Sequence, residues 1–394
     1  MNIKSLEAFP IDLSPKAQRP VYQSNGRQPA SPMARYPKYQ GKRSSWMASW
    51  PLVGCVVMAE DGTFGLGVGG HSGPVCSVIN EHFAQHIVGK NSFATERHFD
   101  VMMRISSTYG SVGLASYAIS AVDLALWDLK GKLLERPVYE LLGGPQKERI
   151  SCYATGFDVT WYQELGFKAF KLPMTQGPVD GISGLNVAEQ LVADARDQVG
   201  DSADLMLDCW LALDVDYTVK LAERLRPYSL RWIEDYLMPE EMTGFADVRK
   251  RLPWQGLATG EHWYLPPTFS VAAENRLVDI FQPDTLWCGG LTSQLRIARI
   301  AESNGIDVIP HGGMNWPYGQ HLIYASTAMS WGERSDGVAA QGVPLKDMVR
   351  LPGTAVIEDG YLVPSDAPGF GIEVDLAWIQ KRRKTVSEIK VWGM

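Results

Sequence analysis

Apolar and polar positions along this chain follow two different rhythms, and the change falls near residue 150. Ahead of it, LVGCVVMAEDGTFGLGVGG carries two apolar runs around Asp61-Gly62, a dipeptide suited to a tight hairpin turn because glycine accepts positive φ. Helical patterning follows near residues 75–108. It returns from Ser116 to Leu134, where Ile119, Val122, Leu126, Leu129 and Leu133 fall on one stripe ahead of Pro137. This mixture predicts a small α+β domain.

Beyond residue 150, short apolar runs recur and most end in a polar or small residue. They are SCYATG (151–156), AFKLPM (169–174), LMLDCW (205–210), LRWIED (230–235), GLATGE (256–261), DIFQPD (279–284) and DVIPHG (307–312). Amphipathic segments such as NVAEQLVADARDQVG, DYTVKLAERLRPY and SQLRIARIAESNG separate them. Alternating strand and helix implies right-handed parallel units. Seven such runs, with a weaker strand near 328–333, predict an α/β fold built on a modified TIM barrel of the (β/α)7β kind. An open doubly wound sheet would need a switch point, and no nucleotide fingerprint marks one. Gly65, Gly67 and Gly70 do satisfy G-x-G-x-x-G, but they lie inside the second half of the hairpin with no βαβ unit after them. They are expected to form a glycine-rich strand and a loop at the barrel mouth. The domains expected are residues 1–145 (α+β cap), 146–344 (barrel) and 345–394, a Pro- and Gly-rich segment returning to the cap. Residues 23–47, polar and basic, are expected to be a mobile loop.

Composition narrows the partners. A net charge of −7 argues against broad contact with a phosphate backbone, hence against nucleic acid. No stretch approaches the ~20 apolar residues that span a bilayer, and the N-terminus lacks a secretory pattern. Five scattered cysteines without C-x-x-C spacing predict no disulfide framework and a reducing cytoplasm.

The acids carry the chemistry. Asp208, Glu234 and Glu261 end successive predicted strands, 26 and 27 residues apart. In a parallel barrel all strand ends point to one face, so the three carboxylates converge. One strand-end acid is readily explained as a cap for the next helix. Three in succession repel unless a cation neutralises them, and all-oxygen ligation suits Mg²⁺ first and Mn²⁺ second. Asp284 and His311 follow on successive strands, 27 residues apart. A carboxylate beside an imidazole orients it and raises its basicity, as a general base requires.

These motifs, in this order, resemble the enolase superfamily, mandelate racemase-like branch, and within it the L-rhamnonate dehydratase group of acid-sugar dehydratases. The resemblance spans nearly the whole chain: SPMARYPKY, ISAVDLALWDLKGKLLERPVYELLGG, YATG, GFKAFKLPM, LMLDCW, WIED, TGEH, QPDTLWCGGLT, VIPHG and DAPGFGIEVD. It implies that Asp208, Glu234 and Glu261 hold Mg²⁺, that His311 is the base and Asp284 its partner, and that Glu333 lies near the substrate carboxylate. It also implies that His262 contacts substrate or assists the leaving hydroxyl, that Arg43 and Trp210 bind substrate, and that cap loops sense its distal end. The activity implied is dehydration of L-rhamnonate, L-lyxonate or a similar aldonate through an enediolate. A homo-oligomer with a small-molecule sugar acid as partner is implied as well. Two departures qualify this. The second strand reads Lys171-Leu172-Pro173 where many relatives carry Lys-x-Lys, so a base on the opposite face is missing and racemisation is disfavoured. Lys171 then pairs either with the substrate carboxylate or with the metal-site acids. Gln28-Pro29 precedes the S-P-M element where a histidine is expected, which leaves the sugar open. An epimerase of the same superfamily and an inactive sugar-acid-binding barrel are the alternatives.

Overall fold

The computed structural model describes residues 1–17, 29–40, 46–335 and 338–384. Strands β1 (Ile3–Ile11), β2 (Leu52–Ala59) and β3 (Phe64–Gly69) form an antiparallel sheet in that order. The Asp61-Gly62 turn is closed by the Asp61 carboxylate, which accepts from the Thr63 amide at 3.0 Å, with Gly62 at φ 91°. The helix Leu114–Leu133 lies across this sheet and is buried on nearly every face, because the barrel covers its other side. Gly65 and Gly67 are what allow that approach. A Cβ at Gly65 would stand 2.0 Å from the Ala125 carbonyl oxygen, and one at Gly67 would stand 1.9 Å from that of Ala121. The fingerprint glycines therefore make room for a helix backbone.

Eight parallel strands follow: β4 (Ile150–Thr155), β5 (Ala169–Pro173), β6 (Asp204–Asp208), β7 (Ile233–Glu234), β8 (Leu257–Thr259), β9 (Ile280–Phe281), β10 (Asp307–Val308) and β11 (Trp331–Arg334). Each pairs with the next as far as β10, and β11 returns to pair with β4. A parallel bridge between Val308 and Met329, just ahead of β11, joins the two ends of the sheet. The last strands are shorter than their apolar runs suggest, so Glu261, Asp284 and His311 stand two or three residues past β8, β9 and β10.

The final segment divides its contacts. Strand β12 (Tyr361–Leu362) adds antiparallel to β4 of the barrel. The Phe370 amide donates to Asp128 of the long helix at 3.0 Å, and Arg383 bridges to Ile11 of the cap. The expected mobile loop is tethered in its described part, where the Ala30 amide donates to the Met174 carbonyl beyond β5 at 2.6 Å. All five cysteines are free thiols. Among the described residues no helix is long and apolar enough to cross a membrane.

Candidate active site

Side chains two apart on a strand share a face, and this period builds the site. The barrel interior is plugged by Tyr153, Ala169, Met206, Trp232, Ala258, Ile280 and Ile309, with Trp331 packed against them. Two residues further toward the mouth come Thr155, Lys171, Asp208, Glu234, Gln282, His311 and Glu333. An apolar layer is thus succeeded by a charged one on the same inner face. Register agrees: Asp208 lies opposite Glu234, and Lys171 opposite Thr155. On β8 the corresponding residue is Gly260 at φ 136°, and Glu261 follows it.

At the centre of the charged layer, Lys171 is fully buried. Its ammonium donates to Glu234 Oε1, stands 2.9 Å from Glu333 Oε1, and is 3.8 Å from Asp208 Oδ2. These are the contacts expected of a partner for the acids, one of the two roles expected for Lys171. Glu234 Oε2 accepts from Trp232 Nε1 at 2.8 Å and Gln282 Nε2 at 2.7 Å. Asp208 Oδ1 accepts the Trp210 amide at 2.9 Å. Glu333 takes the Thr155 hydroxyl at 2.5 Å and the Gly312 amide at 2.7 Å.

The second half of the site holds two histidines. His311 Nδ1 is 2.8 Å from Asp284 Oδ2, and its Nε2 is 3.3 Å from Glu261 Oε2. The Leu286 amide fixes the other Asp284 oxygen at 2.7 Å. His262 Nδ1 is 3.2 Å from Asp235 Oδ2, whose other oxygen accepts from Thr259 at 2.5 Å. The structure therefore contains a second imidazole–carboxylate pair beside the expected one.

Among the described residues, six carboxylates (Asp208, Glu234, Asp235, Glu261, Asp284, Glu333) stand beside Lys171 and two imidazoles, and the imbalance is visible in the proton affinities of several of them. Burial pushes Glu234 up to about 8 and Glu261 up to about 7, and it raises Asp208 too. Against burial, Lys171 and His311 hold Glu333 at about 2. Burial opposes charge on His311, yet Glu261 and the Asp284 hydrogen bond carry it well above the usual imidazole range. A buried oxygen cluster short of positive charge fits a hard dication. Among the described residues, donor atoms of Asp235, Glu261 and His262 lie within 4.8 Å of one another, but Asp235 is already satisfied by His262 and Thr259 and is held below the usual carboxylate range. Asp208, Glu234 and Glu261 are the acids whose proton affinity burial raises, which fits a hard cation taking the place of their protons.

Other side chains fall further out. The Trp210 ring packs on Trp46 at 5.8 Å while its amide supports Asp208. Arg43 lies outside the described residues. His71 packs between Trp50 and Tyr117 of the cap. In the segment after His311, Asn315 donates to Ser335 at 2.9 Å, and Pro317 opens the helix Pro317–Ala325. Sequence reading missed Gln282, Trp232, Thr155 and Asp235. Thr155 and Gln282 stand two residues on from plug residues that only the structure identifies, Trp232 is itself in the plug, and Asp235 is the acid after Glu234.

Comparison with known proteins agrees. Residues 158–378 match the family described as Enolase C-terminal domain-like. Residues 44–143 match the mandelate racemase / muconate lactonizing enzyme N-terminal domain. The chain is 36% identical over 352 residues to an L-rhamnonate dehydratase of Saccharopolyspora erythraea, covering 88% of this chain and 89% of that one. It is 37% identical over 360 residues to a protein of Caldivirga maquilingensis named as a putative L-rhamnonate dehydratase, covering 88% and 87%. Among solved structures, rhamnonate dehydratase from Gibberella zeae complexed with Mg superposes with a TM-score of 0.89 at 30% identity, over 99% of this chain and 98% of that one. The motifs, the closed barrel with its α+β cap and these matches together place the chain in the enolase superfamily.

Proposed function

We propose that this chain is a Mg²⁺-dependent hydro-lyase that converts a sugar acid of the L-rhamnonate type to a 2-keto-3-deoxy acid. The observation that carries the reading is the His311–Asp284 pair beside the buried carboxylates, with no second lysine among the described residues of β5 to act from the other face. Pro173, which takes the place of a second lysine, lies level with Asp208 in the sheet and has no proton to exchange.

On this reading Asp208, Glu234 and Glu261 hold the ion, with Mn²⁺ able to replace Mg²⁺. Bound there, Mg²⁺ supplies Lewis-acid stabilisation of the charge that develops on the substrate carboxylate. His311 removes the α-proton, and Asp284 keeps the ring in the right tautomer and bears the imidazolium that forms. His262, steadied by Asp235, is the donor to the departing β-hydroxyl, which leaves as water; the remaining enol tautomerises to the ketone. Lys171 serves as the buried counter-cation of the cluster and keeps Glu333 ionised, and Trp210 borders the substrate. The division expected from sequence gives the roles: residues 1–145 cap the mouth, 146–344 carry the chemistry and 345–394 tie the two. Five free thiols support a reducing cytoplasmic setting.

The test is a panel of L-rhamnonate, L-lyxonate, L-mannonate and related aldonates and aldarates, assayed for 2-keto-3-deoxy acid with Mg²⁺ and after chelation. Turnover of at least one, lost on chelation, is expected. No keto acid from any member sinks the reading. Exchange of the α-proton with solvent deuterium without loss of water would mark an epimerase instead.

A further inference from the structure

The long cap helix Leu114–Leu133 has polar side chains where a purely packing face would be apolar. Ser116, Ser120, Asp123 and Trp127 follow at intervals of four, three and four residues, which places them on one stripe. All four are spent on one short stretch of the barrel, residues 287–292. Ser116 donates to the Trp287 carbonyl at 2.6 Å, and Ser120 accepts the Gly289 amide at 2.8 Å. Asp123 accepts the Thr292 amide at 2.9 Å and its hydroxyl at 2.6 Å, and Trp127 donates to the same hydroxyl at 2.9 Å. Gly290 permits the close approach, since a Cβ there would stand 2.6 Å from the Asp123 carboxylate. Buried polar groups are costly unless paired, so this stripe specifies one loop position.

That loop begins at Asp284, the partner of His311, and carries the half-buried ring of Trp287. The ring centroid lies 5.0 Å from His311 and 5.6 Å from His262, and the ring also stacks on Tyr117 of the same cap helix at 5.9 Å. Trp287 is thus wedged between the cap and both imidazoles. We propose that Trp287 is a positioning residue that fixes the angles of His311 and His262, and that the cap helix sets it through Ser116 and Tyr117. The cap then acts on the proton-transfer step as well as on the entrance. This rests on the function proposed above.

The experiment compares the full chain with Trp287→Ala, Trp287→Phe and Ser116→Ala, using the acid sugar that the wild type turns over. Misplacing a reacting group by about 1 Å costs on the order of a hundredfold, so Trp287→Ala should lose about that much kcat with KM and Mg²⁺ affinity little changed. Trp287→Phe should recover most of the loss. Ser116→Ala should lose about threefold to tenfold in kcat, the equivalent of one hydrogen bond. A kcat for Trp287→Ala equal to that of the wild type, or a loss confined to KM, overturns the proposal. Should Trp287→Ala fail to fold, an unchanged kcat in both remaining variants overturns it equally. A wild type inactive on every acid sugar is a failure of the proposed function alone. The inference is then read from carbethoxylation of His262 and His311 by diethyl pyrocarbonate, with exposed His86 as internal reference. Both should react several times faster in Trp287→Ala, and unchanged rates refute the wedge.

Discussion

At His311 two carboxylates compete for one imidazole, Asp284 at Nδ1 and Glu261 at Nε2, 2.8 and 3.3 Å away. The first contact orients the ring. The second engages the nitrogen that must be free to accept a proton, so it is expected to loosen when Glu261 turns to a cation. This separates the base from the ligands experimentally. His311→Asn should lower dehydration by about a thousandfold or more, the upper part of the range for a general base, while Mg²⁺ affinity by calorimetry stays within a few fold of wild type. Substantial residual turnover removes His311 as the base. Glu234→Gln should act the other way. Supporting residues around metal sites are worth 10- to 100-fold in affinity, so a direct carboxylate ligand should be worth about tenfold or more. An unchanged Mg²⁺ affinity in that variant takes Glu234 out of the ligand set.

At the scale of elements, the closest approach in the cap is between β3 and the helix Leu114–Leu133. Gly67→Ala puts a methyl group 1.9 Å from the Ala121 carbonyl oxygen, against backbone that cannot swing aside. Overpacking of this kind costs about 1–3 kcal/mol or more, and urea unfolding should register it. Stability within about 0.5 kcal/mol of wild type would mean that the sheet and helix are further apart than described. The same glycines show why a motif must be read in its element. In sequence they imitate a phosphate loop, and only their place in a hairpin under a helix gives their purpose. The strands of the barrel were legible because each apolar run stands alone between amphipathic helices. Their lengths were not, because β7, β9 and β10 keep two paired residues each while their runs continue into the mouth. Asp208 and Glu234 were legible as charges closing apolar runs, and Glu333 through the family resemblance. Gln282 was hidden because a neutral amide carries no such contrast. Trp287 was hidden because its contacts are made to Tyr117 and His262, distant in the chain, and a tryptophan by itself reads as packing.

Across the whole molecule, the barrel brings more negative charge to one mouth than its own cations balance, and the excess has a measurable consequence. Lys171 stays charged throughout the neutral range, because Glu234 and Glu333 outweigh the burial that would discharge it. Glu333, held at about 2, stays ionised. Two acids of the cluster titrate near neutrality, Glu261 at about 7 and Glu234 at about 8, both raised by burial. With no cation bound, each therefore holds a proton at pH 6, and that proton has to leave before the oxygen can ligate. Binding competes with protons, so Mg²⁺ affinity must rise with pH through the window from 6 to 8, by up to about tenfold per pH unit for each proton released. Ordinary exposed carboxylates, fully ionised by pH 6, would give a flat profile instead. Where it is ionised, Glu261 also helps to keep His311 protonated, so a cation drawn to Glu261 lowers the affinity of His311 for its proton. Metal loading and readiness of the base are coupled through one side chain. Calorimetry at pH 6, 7 and 8, repeated in two buffers of different ionisation enthalpy, measures both the affinity and the protons released. Affinity should climb and protons should be released at pH 6 and 7, with the effect fading by pH 8.5. A flat affinity with no proton release would show that the carboxylates are already ionised, and the charge-deficient cluster would lose its claim to be what recruits the ion.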